Sequence, residues 1–229
     1  MDLRIYKKLK MTNSFWIPIR LSLEIASVSS ILVIILGMFF GKIMANRKFK
    51  GKVLIDTIFL LPLVLPPSVV GFLLIIFFGR NSLVGQLIEW IFNQPIMFTW
   101  WAAVIASTVI AFPLMYQSSR TGFEAVDVDI VNAARVDGAN EFRVFMLISI
   151  PLALKSIISG AILSFARALG EFGATLMFAG NIPGKTQTIP TAIYVAIDSG
   201  KMELAWVWVT SMIVVSFLML ICVNFLKSK

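Results

Sequence analysis

Two ionisable residues, Arg167 and Glu171, lie in an otherwise apolar stretch that is long enough to cross a membrane. Because they are four residues apart, a helix places them on one face, close enough to form an ion pair. Charged groups at membrane depth are costly and normally face protein or a water-filled cavity. The spacing therefore predicts an ion pair that faces protein or a cavity, either with a purely structural role or with a role in a polar pathway through the membrane.

Other residues that carry enzyme chemistry are scarce. The chain has no histidine, so neither a histidine acid–base site nor a histidine metal site can be built. Its single cysteine, Cys222, lies in an apolar run, which excludes a disulfide framework within the chain and predicts a small buried side chain. The sequence therefore predicts a protein that is not an enzyme and has no metal site.

The composition is that of a multi-pass membrane protein. Hydrophobic residues make up 59% of the chain and charged residues only 14%, which is far from the balance of a soluble domain. The net charge of +8 comes from Lys and Arg residues that cluster between long apolar runs. Because basic loops of this kind set the topology of membrane proteins, they do not indicate nucleic-acid binding.

Five stretches reach the roughly 20 apolar residues that a membrane-spanning helix needs. They lie near 19–41, 55–79, 99–119, 156–180 and 204–226, with a loop near 120–155. The pattern predicts an all-α integral membrane fold, in which residues 1–229 form one transmembrane domain. Five helices are few to enclose a pathway through the membrane alone, so the chain is expected to work as a dimer.

The basic residues also predict the orientation. Lys and Arg crowd residues 42–52, recur between the third and fourth spans, and end the chain, so these segments are expected to be cytoplasmic. Five spans then leave the N-terminus outside, although its own basic residues favour the cytoplasm; we expect an interfacial amphipathic segment there. Outer-face anchors are predicted at the tryptophans, namely Trp90, Trp100, Trp101, Trp206 and Trp208.

The second span contains Pro62, Pro66 and Pro67, which remove backbone donors and predict a kink or local unwinding. A membrane tolerates such a break where protein or cavity water satisfies the freed carbonyls, so the bend lies either beside the transport route or in a packing contact. The fourth span carries small residues that favour close helix packing, namely Gly160, Ser164, Ala168, Gly170, Gly173 and Ala174.

A short capped helix is predicted in the loop between the third and fourth spans. Asp129 can cap its N-terminus, Ala133 and Ala134 keep its middle slim, and Gly138 can adopt the left-handed conformation that ends it. Asn140 can cap the following helix, and Pro151 permits a bend where that helix approaches the membrane.

This loop resembles the EAA motif of bacterial ABC importer permeases, which reads E-A-A, three residues, G, nine residues, I-x-L-P. Two positions differ: Asn132 replaces the motif's Glu and Ile150 replaces its Leu. The resemblance implies a coupling helix that docks into a cleft on an ATP-hydrolysing partner. The residues that match the motif are Ala133, Ala134, Gly138, Ile148 and Pro151, and we expect Asn132, Arg135 and Asp137 to share the docking surface.

Two further segments, residues 61–71 and 165–181, resemble molybdate permeases in particular. The resemblance implies a bacterial or archaeal membrane permease that imports an oxyanion. Its implied partners are a second copy, two ATPase subunits and an extracytoplasmic binding protein, with ATP and Mg bound by the ATPase and no cofactor in this chain. The expected pathway or gate consists of Pro62, Pro66, Pro67, Arg167, Gly170, Glu171 and Gly173. Sulfate or tungstate permeases and an ion-gradient-driven anion carrier are the alternatives.

Overall fold

A computed structural model describes the backbone of residues 3–227 and the side chains of residues 15–221, 224 and 225. Every regular element in this part of the chain is helical, which confirms the predicted all-α fold. The helices are α1 (Leu3–Met44), α2 (Lys52–Val64), α3 (Pro67–Phe78), α4 (Leu83–Phe92), α5 (Trp100–Glu124), α6 (Val128–Val136), α7 (Glu141–Val144), α8 (Ile150–Leu169), α9 (Gly173–Phe178), α10 (Ile189–Asp198) and α11 (Met202–Lys227).

Helix α5 is the centre of the fold, and α1 packs along it. The two backbones approach closely because small residues line the contact. A methyl group added at Gly37 would lie 2.6 Å from Cγ of Met115, and one at Gly41 would lie 2.9 Å from the backbone nitrogen of Arg120. Ser29 in α1 donates a 3.0 Å hydrogen bond to the carbonyl of Val104.

Helix α8 packs against α5 in an antiparallel register. A methyl group at Gly122 would lie 2.7 Å from Cβ of Ser156, and one at Gly160 would lie 2.5 Å from Cβ of Ser118. Each helix therefore contributes a glycine opposite a serine of the other. Continuing this register along α8 sets Arg167 at the level of Ile110 and Ala111, near the middle of α5.

The second predicted span is broken, as its prolines predict. Helices α2 and α3 meet at Leu65 and Pro66 with a bend of 117°, whereas Pro62 lies inside α2 without interrupting it. The start of α2 is paired with the C-terminal end of α5 through Asp56 and Arg120. The end of α3 lies near the other end of α5. Phe78 contacts Phe178 with 5.8 Å between ring centroids. The carbonyl of Phe178 in turn accepts a hydrogen bond from the backbone nitrogen of Phe98, two residues before α5 begins. The bent pair thus runs the length of α5.

Four further stretches are long and apolar enough to span a membrane: Phe15–Met44, Trp100–Glu124, Glu141–Leu169 and Met202–Ile221. The stretch Glu141–Leu169 corresponds to the predicted span 156–180 but differs from it at both ends. It begins at Glu141 because a π-helical turn, Phe145–Ser149, joins α7 to α8 without a sharp bend before Pro151. It ends at Leu169 because Gly170 caps α8 and the next two residues leave the helix before α9 begins at Gly173, so the expected continuous helix to residue 180 is wrong.

Trp208 is also not an interfacial anchor. Its side chain is buried, stacks on Phe15 with 6.5 Å between ring centroids and donates a 3.2 Å hydrogen bond to the carbonyl of that residue. The prediction failed because the sequence places Trp208 at the start of a span but does not show the helix that covers it. The expected amphipathic character of the N-terminal segment and the burial of Cys222 concern side chains outside the described residues.

Candidate coupling helix and membrane gate

Helix α6 lies in the loop predicted to couple the permease to its partner. Its N-cap is Asp127, whose carboxylate accepts a 2.8 Å hydrogen bond from the backbone nitrogen of Asp129. The expected Asp129 cap is therefore wrong, because Asp129 already lies in the first helical turn. Gly138 ends the helix at a φ of 86°, and Asn140 caps α7 by accepting from the nitrogen of Arg143 at 2.9 Å, as the sequence predicts.

The surface of α6 is exposed within this chain. None of its residues is buried, although it carries apolar side chains: Ile130 is 48% exposed and Val136 87% exposed. Ala133 adds little bulk between the polar side chains of Asn132 and Arg135. A short, capped helix that displays exposed apolar residues between two candidate membrane spans has the features of a docking element.

Arg135 fixes α6 to the start of α7. Its guanidinium makes two hydrogen bonds with the carboxylate of Glu141, at 2.7 and 3.1 Å, and donates a third to Oδ1 of Asn132 at 3.0 Å. The hydrogen bond with Glu141 raises the pKa of Arg135, which is the direction expected for a guanidinium that is stabilised by a carboxylate. The sequence did not predict the role of Glu141. Asn132 accepts a hydrogen bond from Arg135, and the carboxylate of the motif's Glu could accept the same bond.

The remaining residues that were predicted to couple the subunits lie where α7 leads into α8. Ile148 is half-buried in the π-helical turn, and Pro151 occupies the first turn of α8. Ser149 in the same turn accepts a 2.9 Å hydrogen bond from Nζ of Lys42 at the end of α1. Lys42 also lies 5.4 Å from the ring centroid of Phe123. The coupling loop is thereby joined to both α1 and α5.

The predicted ion pair joins Arg167, in the last turn of α8, to Glu171, just beyond the end of that helix. Nη1 of Arg167 lies 2.8 Å from Oε2 of Glu171, and the side chains are 31% and 1% exposed, respectively. The contact is a charge–charge pair without the alignment of a hydrogen bond. The other carboxylate oxygen, Oε1, accepts a 2.8 Å hydrogen bond from the nitrogen of Ala174 at the start of α9. Glu171 therefore connects α8 to α9, which the sequence did not predict.

The break in the second span lies next to this ion pair. A methyl group at Gly173 would lie 3.0 Å from Cβ of Pro67, so the two backbones are in close contact. Gly170 is exposed at the end of α8, and Pro66 is exposed at the bend. The structure thus brings Pro67, which follows Pro66 at the bend, against Gly173, and Gly170 lies between Arg167 and Glu171 in the chain. Pro62 lies apart, on a cavity of about 610 Å³ inside the elbow of α2 and α3.

A second polar cluster, which sequence reasoning missed, ties α2 to α5. Oδ2 of Asp56 lies 2.9 Å from Nη1 of Arg120, and Oδ1 of Asp56 accepts a hydrogen bond from the buried hydroxyl of Tyr116. Arg120 also donates a 2.8 Å hydrogen bond to Glu124. The i, i+4 spacing of Arg120 and Glu124 was a usable signal, whereas the pairing with Asp56 depends on how α2 folds onto α5.

We expect the substitution Asp56→Asn to lower the free energy of unfolding by about 1–3 kcal/mol, because it removes the charge that pairs with a partly buried Arg120. Unfolding of the purified protein in detergent measures the change. The matched control is Glu24→Gln, which removes the partner of the well-exposed Arg20 and is expected to have an effect below about 1 kcal/mol. Equal losses for the two variants would contradict a stabilising role for the cluster.

The comparisons with known proteins agree with these features. The family model of the binding-protein-dependent transport system inner membrane component matches residues 34–229. A putative molybdenum transport system permease protein of Bacillus subtilis is 62% identical over 208 residues, which cover 91% of this chain and 92% of the relative. The molybdenum transport system permease protein of Escherichia coli is 45% identical over 190 residues, which cover 82% of each chain.

Solved structures of transporters share the fold. The inward-facing methionine ABC transporter MetNI superposes with a TM-score of 0.68 at 14% identity, covering 100% of this chain and 99% of that chain. A bacterial alginate ABC transporter superposes with a TM-score of 0.74 at 16% identity, covering 99% of this chain and 83% of that one. The chain belongs to the family of binding-protein-dependent transport system inner membrane components. It is a multi-pass membrane permease subunit and not an enzyme, and the predicted resemblance to ABC importer permeases is confirmed.

Proposed function

We propose that this chain is the transmembrane permease of an ATP-driven importer of molybdate. The observation that carries the proposal is the exposed, capped and braced helix α6, which joins through α7 to α8, the helix whose last turn carries Arg167 of the ion pair. A movement imposed on α6 can therefore reach the pair along one nearly continuous helical segment. The choice of molybdate rests on the names of the relatives at 62% and 45% identity.

The proposed complex contains two copies of this chain, two ATPase subunits and an extracytoplasmic oxyanion-binding protein. Helix α2 supports the second copy, because it has no buried residue and one of its faces exposes apolar side chains, while Phe59 on the opposite face packs against Phe112 and Tyr116 of α5. Val53 and Val64, for example, are 79% and 81% exposed. An apolar helix beside a broken span suits an interface in which two copies enclose the route between them.

The test of substrate is uptake by vesicles that contain this subunit, its ATPase and its binding protein. Molybdate uptake is measured with unlabelled molybdate, tungstate or sulfate as competitors. The proposal requires that sulfate compete more weakly than molybdate. If labelled sulfate enters and excess molybdate leaves its uptake unchanged, the chain is a sulfate permease instead.

We propose a cytoplasmic position for residues 42–52, the coupling loop and the C-terminus, with the N-terminus outside. The bent α2–α3 pair supports five crossings, because its two ends lie at opposite ends of α5. Single cysteines at Lys48, Asn132 and Gly184 test this orientation after Cys222→Ser, since all three positions are exposed in the chain. An impermeant thiol reagent added outside is expected to label only position 184, and labelling at 132 would reverse the orientation.

A further inference from the structure

A polar groove runs between α5 and α8 on the α6 side of the ion pair. It encloses about 490 Å³ and is lined by four hydroxyls, one amide and one ammonium group, with Leu114 and Leu163 at its apolar end. The polar residues are Gln117, Ser118, Thr121, Lys155, Ser156 and Ser159. We call this the α5–α8 groove; none of its polar residues belongs to the expected gate or coupling surface.

The polar side chains of the α5–α8 groove have no partner within the described part of the chain. None of the six forms a side-chain hydrogen bond or ion pair with another described residue. Other hydroxyls in the spans do: Thr57 and Thr210 both donate to the carbonyl four residues earlier. Side-chain donors that have no protein partner on two packed membrane helices indicate a surface that contacts water or a polar ligand.

The helix register places the groove between the Arg167–Glu171 pair and the C-terminal end of α5. Gly122 faces Ser156 and Gly160 faces Ser118, so the groove extends from the level of Leu114 to the last turn of α5. Roughly 20 residues cross the hydrocarbon core, so a span that starts at Trp100 reaches its other boundary near residue 120. On α8, Ser159, Leu163 and Arg167 recur every four residues and share a face. The groove therefore continues the line from the ion pair toward the coupling loop.

The chemistry of the groove suits a tetrahedral oxyanion. Such an anion offers only hydrogen-bond acceptors, and the groove offers hydroxyl and amide donors with the positive charge of Lys155. No carboxylate is among the lining residues. Because most of the donors are neutral and the groove is partly open, the site holds an anion weakly, which is compatible with release.

We propose that the α5–α8 groove is a weak binding site for the transported oxyanion on the cytoplasmic half of its route, with Lys155 as the charged contact. The inference rests on the proposed function for the direction of transport. A phospholipid headgroup presents the same phosphate chemistry at this depth, so the experiment has to separate a soluble anion from a lipid.

The site is tested in the assembled complex with Ser159→Cys in a Cys222→Ser background. A sulfonate-bearing thiol reagent is applied from the cytoplasmic side of vesicles made either of zwitterionic lipid alone or with anionic lipid. Molybdate, tungstate and sulfate are each tested for protection of the thiol. We expect a soluble oxyanion to slow the reaction in both membranes, and we expect Lys155→Gln to weaken that protection about tenfold. Lys50→Gln, an exposed lysine of the 42–52 connection, is the control and is expected to change nothing.

Uptake by the wild-type complex in the same vesicles separates the two proposals. If the wild type imports molybdate but no oxyanion protects the thiol, the proposed site is wrong while the proposed function stands. If protection comes from anionic lipid and not from soluble anions, the groove is a lipid site and the proposal is overturned. If sulfate protects the thiol and is imported, whereas molybdate does neither, the proposed site is supported and the proposed substrate is wrong.

Discussion

The substitution Gly138→Val is expected to abolish most ATP-driven uptake while the protein still inserts into the membrane. Gly138 ends α6 at a φ of 86°, a conformation that costs L-residues about 1–2 kcal/mol, and more for a β-branched side chain. A penalty of that size reduces the population of the docked geometry by about five- to thirtyfold. Uptake and co-purification with the ATPase at equal expression are the measurements.

Gly184→Val is a matched control for this substitution. Gly184 has a φ of 77° and, like Gly138, open space where a side chain would be added. The backbone penalty is therefore similar, but the site lies outside the coupling loop, so ATPase recovery is expected to stay near wild type. Gly138→Asn is expected to be milder, since Asn tolerates the left-handed region. Wild-type uptake by Gly138→Val would show that α6 does not couple the subunits.

Arg167→Gln is expected to be the most damaging single substitution at the gate. It leaves the carboxylate of Glu171, with a side chain only 1% exposed, without its counter-charge. Removing one partner of a buried pair costs about 3–5 kcal/mol in soluble proteins, and here the free carboxylate would also repel an approaching dianion. Uptake should fall sharply, with assembly followed by co-purification of the ATPase.

Glu171→Gln is expected to be milder and different in kind. The amide oxygen of Gln can still accept the hydrogen bond from Ala174, so the junction of α8 and α9 is retained, but the electrostatic closure is lost. We expect basal ATPase activity to rise. The double substitution Arg167→Gln with Glu171→Gln should recover part of the loss seen in Arg167→Gln, because no charge remains buried. Wild-type uptake in all three variants would leave the pair a purely structural role.

Local features of the sequence predicted much of the site. The spacing of Arg167 and Glu171 predicted an ion pair, the prolines predicted a broken span, Gly138 predicted the end of α6, and Asn140 predicted the start of α7. Each depends on a few neighbouring residues, so short-range rules suffice. The resemblance to importer permeases supplied the family.

Features that depend on tertiary packing were missed. Trp208 was assigned to the interface although Phe15, far away in sequence, buries it. The fourth span was expected to continue through Glu171, whose carboxylate in fact lies after the end of α8 and accepts a hydrogen bond from the first turn of α9. Asp56 was overlooked because its partners, Tyr116 and Arg120, lie on another helix. In each case the side chain's role is set by a contact that apolar periodicity does not encode.

The proposed ATP-driven import is tested most directly by identifying the energy source of uptake. Vesicles containing this permease, its ATPase and its binding protein are loaded with ATP, and molybdate uptake is measured with an active ATPase, with a hydrolysis-deficient ATPase, and with ionophores that collapse proton and sodium gradients. We predict that uptake requires hydrolysis and survives the ionophores. Uptake that continues with the hydrolysis-deficient ATPase and is abolished by the ionophores would contradict the account and identify an ion-gradient-driven carrier.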